Sequence, residues 1–404
     1  MDKRQLGVQL RAILGSPTHL LESSPLRLAL PTVLGLTGSG SAYGQLHQAG
    51  LHLAVRHVQD WSDGRLTFDV QEFDHGSCNP SQIGRLPELG LIGNGVLLTT
   101  FVFCFGAQLA AIQRTKTFAI DPVGSTGPAY KGIPYCYGFR SSWPDDCQAG
   151  LWRIIKDRNP GAKRWTVVSS EFAPDWMVPL KRTFAALADS MDVDLEYLGS
   201  PYGSDDFSAT VEEMKRLNSD VYVLVVYGTD LVRITQELAR QGMLCGPTYA
   251  TVEFDDDVVT QVGHLWDGWY IGQEYLDIVD PPSDWSKLFL REFSLTYSHL
   301  KPHYYASLLY SAVFSIAEMV NRIVGFGGNL QAGDDYVKAL EMNPRFPHVH
   351  GGSAGETGRL IMDVATHSAA SIPLVALRAK ASADPKTAEK IATFDVGGRN
   401  IRYL

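Results

Sequence analysis

Strand-like and helix-like patterns take turns along this chain from residue 26 to residue 323, and that alternation admits few folds. Apolar or alternating runs at 26–34, 66–73, 96–100, 117–120, 165–169, 193–198, 221–226, 248–252 and 269–275 read as strands. Helical patterns lie between them at 43–59, 80–91, 106–114, 145–159, 176–190, 208–218 and 231–241. Two longer ones follow at 284–295 and 304–323. Strands separated by helices of this length join into parallel sheets with helices on both faces. About ten strands exceed one comfortable domain, so two doubly wound α/β lobes are the expected division. Beyond residue 351 a glycine-rich stretch precedes two more strand candidates, LIMDV and IPLVAL.

The run from 26 to 59 is the unit with the most chemistry. An apolar strand bounded by Pro25 and Gly35 leads into TGSGS at 37–41, where glycines alternate with hydroxyls. Leu46, Ala49, Leu53 and Ala54 then keep the spacing of one helix face. Open α/β sheets bind ligands at such carboxyl strand ends, where backbone N–H groups and hydroxyls are free. Three readings stay open for Gly38 to Gly44: a nucleotide loop, a plain strand–helix turn, or a cradle for a small ligand. The spacing is GxGxxxG, not the dinucleotide GxGxxG, and Asp74 would have to serve a ribose from some 30 residues away.

Other strand ends carry similar groups. Ser125-Thr126 follows the strand at 117–120, Tyr227-Gly228-Thr229-Asp230 follows 221–226, and Glu253 stands first in an acidic run after 248–252. Such a set suits reversible recognition of a polar molecule. It lacks the paired nucleophile and base of covalent catalysis, so no enzyme and no cofactor are expected. His348 and His350 flank Val349 without a third ligand nearby and read as a surface loop, not a metal site.

Composition narrows the partners. A net charge of −9 with no basic cluster argues against nucleic acid. No run of about 18 apolar residues occurs, so nothing is expected to span a membrane. Residues 1–25 read as an N-terminal extension. Its apolar residues are interrupted by Gln5, Gln9, His19 and Glu22, which makes a poor export signal. Either the chain is cytoplasmic or a signal lies elsewhere. The five cysteines form no CxxC pair.

Several segments together resemble the branched-chain amino-acid (leucine/isoleucine/valine-type) receptors, the type I periplasmic solute-binding proteins of ABC importers. These are LTGSGSAYGQ (36–45), FDHGSCNPSQ (73–82), DPVGSTGP (121–128), FRSSWPDDCQAG (139–150), SDDFSATVEEMKRLNSDVYVLVVYG (204–228) and GETGRLIMD (355–363). The resemblance implies two lobes joined by a three-strand hinge and closing on a ligand. Lobe 1 would hold 26–140 and 276–355, and lobe 2 would hold 141–275 and 356–404. It implies ligand roles for Tyr43 (aromatic packing), Ser125 and Thr126 (the ligand carboxylate), Tyr227 (second lobe) and Glu253 (the ligand ammonium). Where the family carries a carboxylate-binding serine, this chain has Phe105, which implies either a ligand with a larger apolar or aromatic part, or a different acid or amide, or a ring that turns away from the cleft. Cys78 and Cys104 match a family disulfide, which implies an oxidising compartment. The implied function is capture of an amino acid, related carboxylate or amide in the periplasm, with an ABC permease as partner. A cytoplasmic ligand sensor of the same fold is the alternative, and a nucleotide-dependent α/β enzyme the third.

Overall fold

Regular structure begins with two helices, α1 (Lys3–Leu14) and α2 (Thr18–Glu22). Next come β1 (Leu26–Leu34), α3 (Ser41–Trp61), β2 (Leu66–Asp74), α4 (Pro80–Ile83), β3 (Val96–Thr99), α5 (Gly106–Thr115), β4 (Phe118–Asp121) and β5 (Cys136–Gly138). A second run holds α6 (Asp145–Arg158), β6 (Arg164–Ser170), α7 (Pro174–Ser190), β7 (Asp194–Ser200), α8 (Ser208–Leu217) and β8 (Val221–Val225). It continues with α9 (Gly228–Arg240), β9 (Thr248–Thr251), α10 (Asp256–Val262) and β10 (Tyr270–Glu274). Then α11 (Asp284–Thr296), α12 (Tyr304–Gly325) and α13 (Gly333–Met342) lead to β11 (Arg345–Pro347), β12 (Arg359–Asp363) and β13 (Ser368–Ser371). The last strands are β14 (Leu374–Ala379), β15 (Ala388–Phe394) and β16 (Arg402–Tyr403). This computed structural model describes residues 3–38, 41–76, 79–93, 95–100, 106–123, 133–140, 145–171, 174–252, 254, 256–274, 276–278, 280–350, 359–372, 374–380 and 388–404.

The elements gather into two units. Unit 1 is Met1–Ser142 with Tyr275–Ile372, and unit 2 is Trp143–Glu274 with Pro373–Leu404. Unit 1 holds a parallel sheet in the order β2-β1-β3-β4-β5. Helix α12 is its spine. By length and composition it could cross a membrane, with a mean hydropathy of 1.3, yet 78% of that stretch is buried inside the unit. Its buried hydroxyls stay satisfied along the helix: Ser311 Oγ donates to Ser307 O and Ser315 Oγ to Ser311 O. Tyr310 and Phe314 of α12 pack against Trp285 of α11, and Phe314 also meets Trp61 of α3.

Unit 2 holds an eight-stranded sheet in the order β16-β15-β14-β10-β9-β8-β6-β7. The strands β7, β6, β8, β9 and β10 run parallel. The expectation of parallel pairing fails beyond them, because β14, β15 and β16 add on antiparallel. Short connections between those last strands leave no room for a helical crossover. Tyr222, Tyr249 and Trp269 stack in sequence across β8, β9 and the start of β10.

Three segments differ from expectation. The helix expected at 80–91 stops after Pro80–Ile83, because Pro87 lacks an N–H and disfavours helical backbone at Leu86. The N-terminal residues are no loose extension. Leu6, Leu10 and Leu20 are buried, Arg11 donates to Asp60 O and Trp61 O, and Leu20 N donates to Asn321 Oδ1. Residues 359–372 group with unit 1, whereas the expected second lobe began at 356. The cause is local pairing: β12 joins β11 and β13, Ala369 N donates to Arg140 O, and Gly138 N donates to His367 O.

Candidate functional site

In unit 1 the carboxyl strand ends carry a polar and aromatic wall. Asp74 closes β2 in register with Leu34, so its carboxylate reaches the turn that follows β1. It accepts from Leu36 N (2.8 Å), Thr37 N (3.2 Å), Thr37 Oγ1 (2.5 Å) and Gly76 N (2.9 Å). Burial pushes this carboxyl up, but the hydrogen bonds outweigh burial and hold it below the usual range. The acid that a nucleotide ribose would need is therefore consumed by the loop itself. Gly44 lets α3 start hard against β1, since a Cβ there would stand 2.0 Å from Gly35 O.

Tyr43, in the first turn of α3, lies 4.9 Å from the Tyr305 ring. His47, one turn later on the same face, meets Tyr305 edge-on at 5.2 Å. Tyr305 comes from the start of α12, where His303 caps the helix by accepting from Tyr305 N and stacks on the same ring. His75 follows β2; its N–H donates to Leu34 O and its Nε2 lies 3.4 Å from Thr100 Oγ1.

The HVH pair is not a surface loop. His348 and His350 are buried against α12. Ser311 Oγ accepts from Val349 N, and Val349 O accepts from Ser286 Oγ. His348 Nδ1 accepts from His350 N, so its Nε2 carries the proton. Ser307 Oγ donates to Tyr304 O, so His350 Nε2 must donate to Ser307 at 2.6 Å. Burial keeps these rings neutral: His47 and His348 are pushed down to about 3, His75 to about 4, and His350 well below the usual value. The Arg140 guanidinium, itself buried and donating to Val123 O, adds to the effect on His47, His348 and His350. Among the described residues no three His, Cys, Asp or Glu side chains converge as a metal site.

In unit 2 parallel pairing lines up the carboxyl ends of β6, β8, β9 and β10. Ser170, Thr251, Gln273 and Glu274 are buried there. Tyr227 stands between β8 and α9 with extended backbone at the helix N-cap. Asp230, in the first turn of α9, accepts from Gly203 N at 2.8 Å, and burial pushes its carboxyl up. Of the expected ligand residues, Tyr43 belongs to unit 1 and Tyr227 to unit 2. Phe105, Ser125, Thr126 and Glu253 lie outside the described residues, as do Cys78 and Cys104.

Residues 28–370 match the family model for the periplasmic binding proteins. The chain belongs to that family. Solved periplasmic binding proteins share its fold. One from Burkholderia mallei superposes with a TM-score of 0.76 at 14% identity, covering 93% of this chain and 96% of that one. A solute-binding protein from R. palustris in complex with 4-hydroxybenzoate gives 0.74 at 16% identity, covering 92% and 98%. A leucine-binding protein from Thermotoga maritima gives 0.70 at 15% identity, covering 91% and 98%. No curated protein matches the sequence significantly.

For a periplasmic binding protein, the function lies in solute capture, and unit 1 shows residues that the sequence reading passed over. Tyr305, His47 and His303 were missed, although two local signals pointed to them. His47 stands four residues after Tyr43 on a helix, and His303 immediately precedes the apolar α12 where an N-cap belongs. Helices α1 and α2 lie outside the stretch that matches the family.

Proposed function

We propose that this chain is an extracytoplasmic receptor that captures a small organic acid, amino acid or amide and delivers it to an ABC permease. One observation carries the reading: the Tyr43–Tyr305 ring pair follows the strand-end loop that Asp74 fixes. That combination offers an apolar aromatic face at a strand end held in a fixed shape, which suits a molecule with a flat or branched body. Benzoate, 4-hydroxybenzoate and 3,4-dihydroxybenzoate occupy three of the solved structures that share the fold, and another is a leucine-binding protein. In this reading Tyr43 and Phe105 supply the apolar face. Ser125 and Thr126 hold the carboxylate, while Tyr227 and Glu253 supply contacts from unit 2. Cys78 pairs with Cys104 in the periplasm. The chain binds and releases its ligand without chemical change.

A thermal-shift panel of benzoates, branched amino acids and short amides tests it. A ligand at about 100 times its dissociation constant stabilises the folded state by roughly 2.7 kcal/mol, and the midpoint should rise by several degrees. Silence across the panel from a folded protein would remove the reading. The alternative role is that of a cytoplasmic ligand sensor of the same fold. Fractionation of cells making the full reading frame separates the two.

A further inference from the structure

Within unit 1, His47 has a nitrogen that the protein does not use. The side chain is 4% exposed, and its Nε2 is shielded from solvent without a hydrogen-bond partner among the described residues. Buried polar atoms are nearly always paired, so an orphan calls for an explanation. Two features point to one. His47 shares a helix face with Tyr43, and both rings close on Tyr305, so the orphan stands in the same aromatic wall that the proposed function assigns to the ligand. The permanent charge acting on the ring is the buried Arg140 guanidinium. It opposes a second proton on the imidazole, and it equally disfavours a ligand cation at this point.

We propose that His47 is a further ligand-contacting residue, whose Nε2–H donates to a carboxylate or carbonyl oxygen of a ligand lying against Tyr43 and Tyr305. The class that fits is an aromatic or otherwise apolar carboxylate without an ammonium group. This inference rests on the receptor reading above and narrows it. A neutral donor in a buried wall is well placed for an anion, because a hydrogen bond to a charged acceptor is stronger than one between neutral groups. An amino acid would bring its ammonium towards a wall that carries the Arg140 guanidinium.

Calorimetric titration of the purified full chain with benzoate, 4-hydroxybenzoate and leucine tests the proposal on three proteins: wild type, His47→Leu and His47→Gln. Glutamine places an amide N–H close to where the imidazole Nε2 stands, whereas leucine has no donor. The wild type should bind the benzoates more tightly than leucine. His47→Leu should weaken benzoate binding about tenfold or more, the scale of one charge-assisted hydrogen bond. His47→Gln should stay within about threefold of wild type. Without ligand, His47→Leu should melt at or above the wild-type temperature, because an apolar group replaces an orphaned polar one. Several outcomes overturn the proposal. If both variants bind benzoate as the wild type does, an internal water serves the nitrogen. If both lose affinity together with unliganded stability, the ring is only packing. If the wild type takes leucine and neither benzoate, the receptor reading stands and this inference falls. If the wild type takes none of the three or any other small acid or amide, the receptor reading falls and takes this inference with it.

Discussion

Asp74 does at the scale of one residue what a longer loop would otherwise need many contacts to do. Its two oxygens take up two backbone N–H groups and one hydroxyl of the β1–α3 turn, and a third N–H from Gly76. Asp74→Ala would leave four donors to find water. The half-exposed position lets water in, so the expected loss is about 1–2 kcal/mol of stability by urea titration. Ligand affinity should fall as well, because the turn that leads into α3 and Tyr43 loses its fixed shape. Asp74→Asn keeps one acceptor oxygen and should cost less on both measures; an alanine variant with unchanged affinity would sink the positioning role. The sequence shows that an acid stands at 74, but not that its partner is the loop some 38 residues earlier. That becomes visible only once β1 and β2 are paired in register. The same holds for His47 and Tyr305, which lie on helices far apart in the chain. Tyr43 entered through the resemblance to the receptor family; what the sequence itself shows is that a strand, a glycine-rich turn and a helix meet there.

At the scale of elements, the strand–helix alternation was legible almost throughout because each strand is a short apolar run bounded by turns. The misreadings have physical reasons. Residues 80–91 keep a helical apolar pattern, but Pro87 overrides it. β5 has three residues, too few for any periodicity to show. α1 was hidden by its glutamines, although Leu6 and Leu10 already mark one helix face. Its seat on α3 depends on Gly7, where a Cβ would stand 2.4 Å from Asp60 O. Gly7→Ala should therefore lift α1 and cost about 1–3 kcal/mol, the range of an overpacked contact. Val8, the neighbouring exposed residue, serves as control: Val8→Ala should move the urea midpoint hardly at all. Equal effects from both substitutions would show that α1 does not depend on this contact.

At the scale of the whole molecule, the two units differ in their response to acid. His47, His57, His75, His348 and His350 are all buried in unit 1; desolvation pushes His47, His57 and His348 down to about 3, His75 to about 4, and His350 well below its usual value. Their folded values lie below the unfolded one, so their contribution is fully present above about pH 6.5 and is lost as pH falls towards 4. At about pH 5 each neutral ring represents roughly 2 kcal/mol of stability already lost. Unit 2 has one described histidine, His264, and it is exposed. Hydrogen exchange followed between pH 7.5 and 5 should show unit 1 amides losing protection first. Loss that starts in unit 2, or is equal in both, would refute this.

The order in which the pieces of unit 1 leave the ribosome has its own consequence. Strands β1 to β5 and helix α3 are made early, yet α12, which buries the inner face of α3, is made only after the middle of the chain. At typical elongation speeds that gap lasts roughly ten to fifty seconds. During translation the nascent α3 must keep Leu53, Ala54 and Trp61 away from neighbouring chains without its final partner. Helix α1, synthesised before α3 and packed on it through Leu6 and Leu10, is available for all of that time. It can act as a built-in cover for the growing polypeptide until the spine arrives.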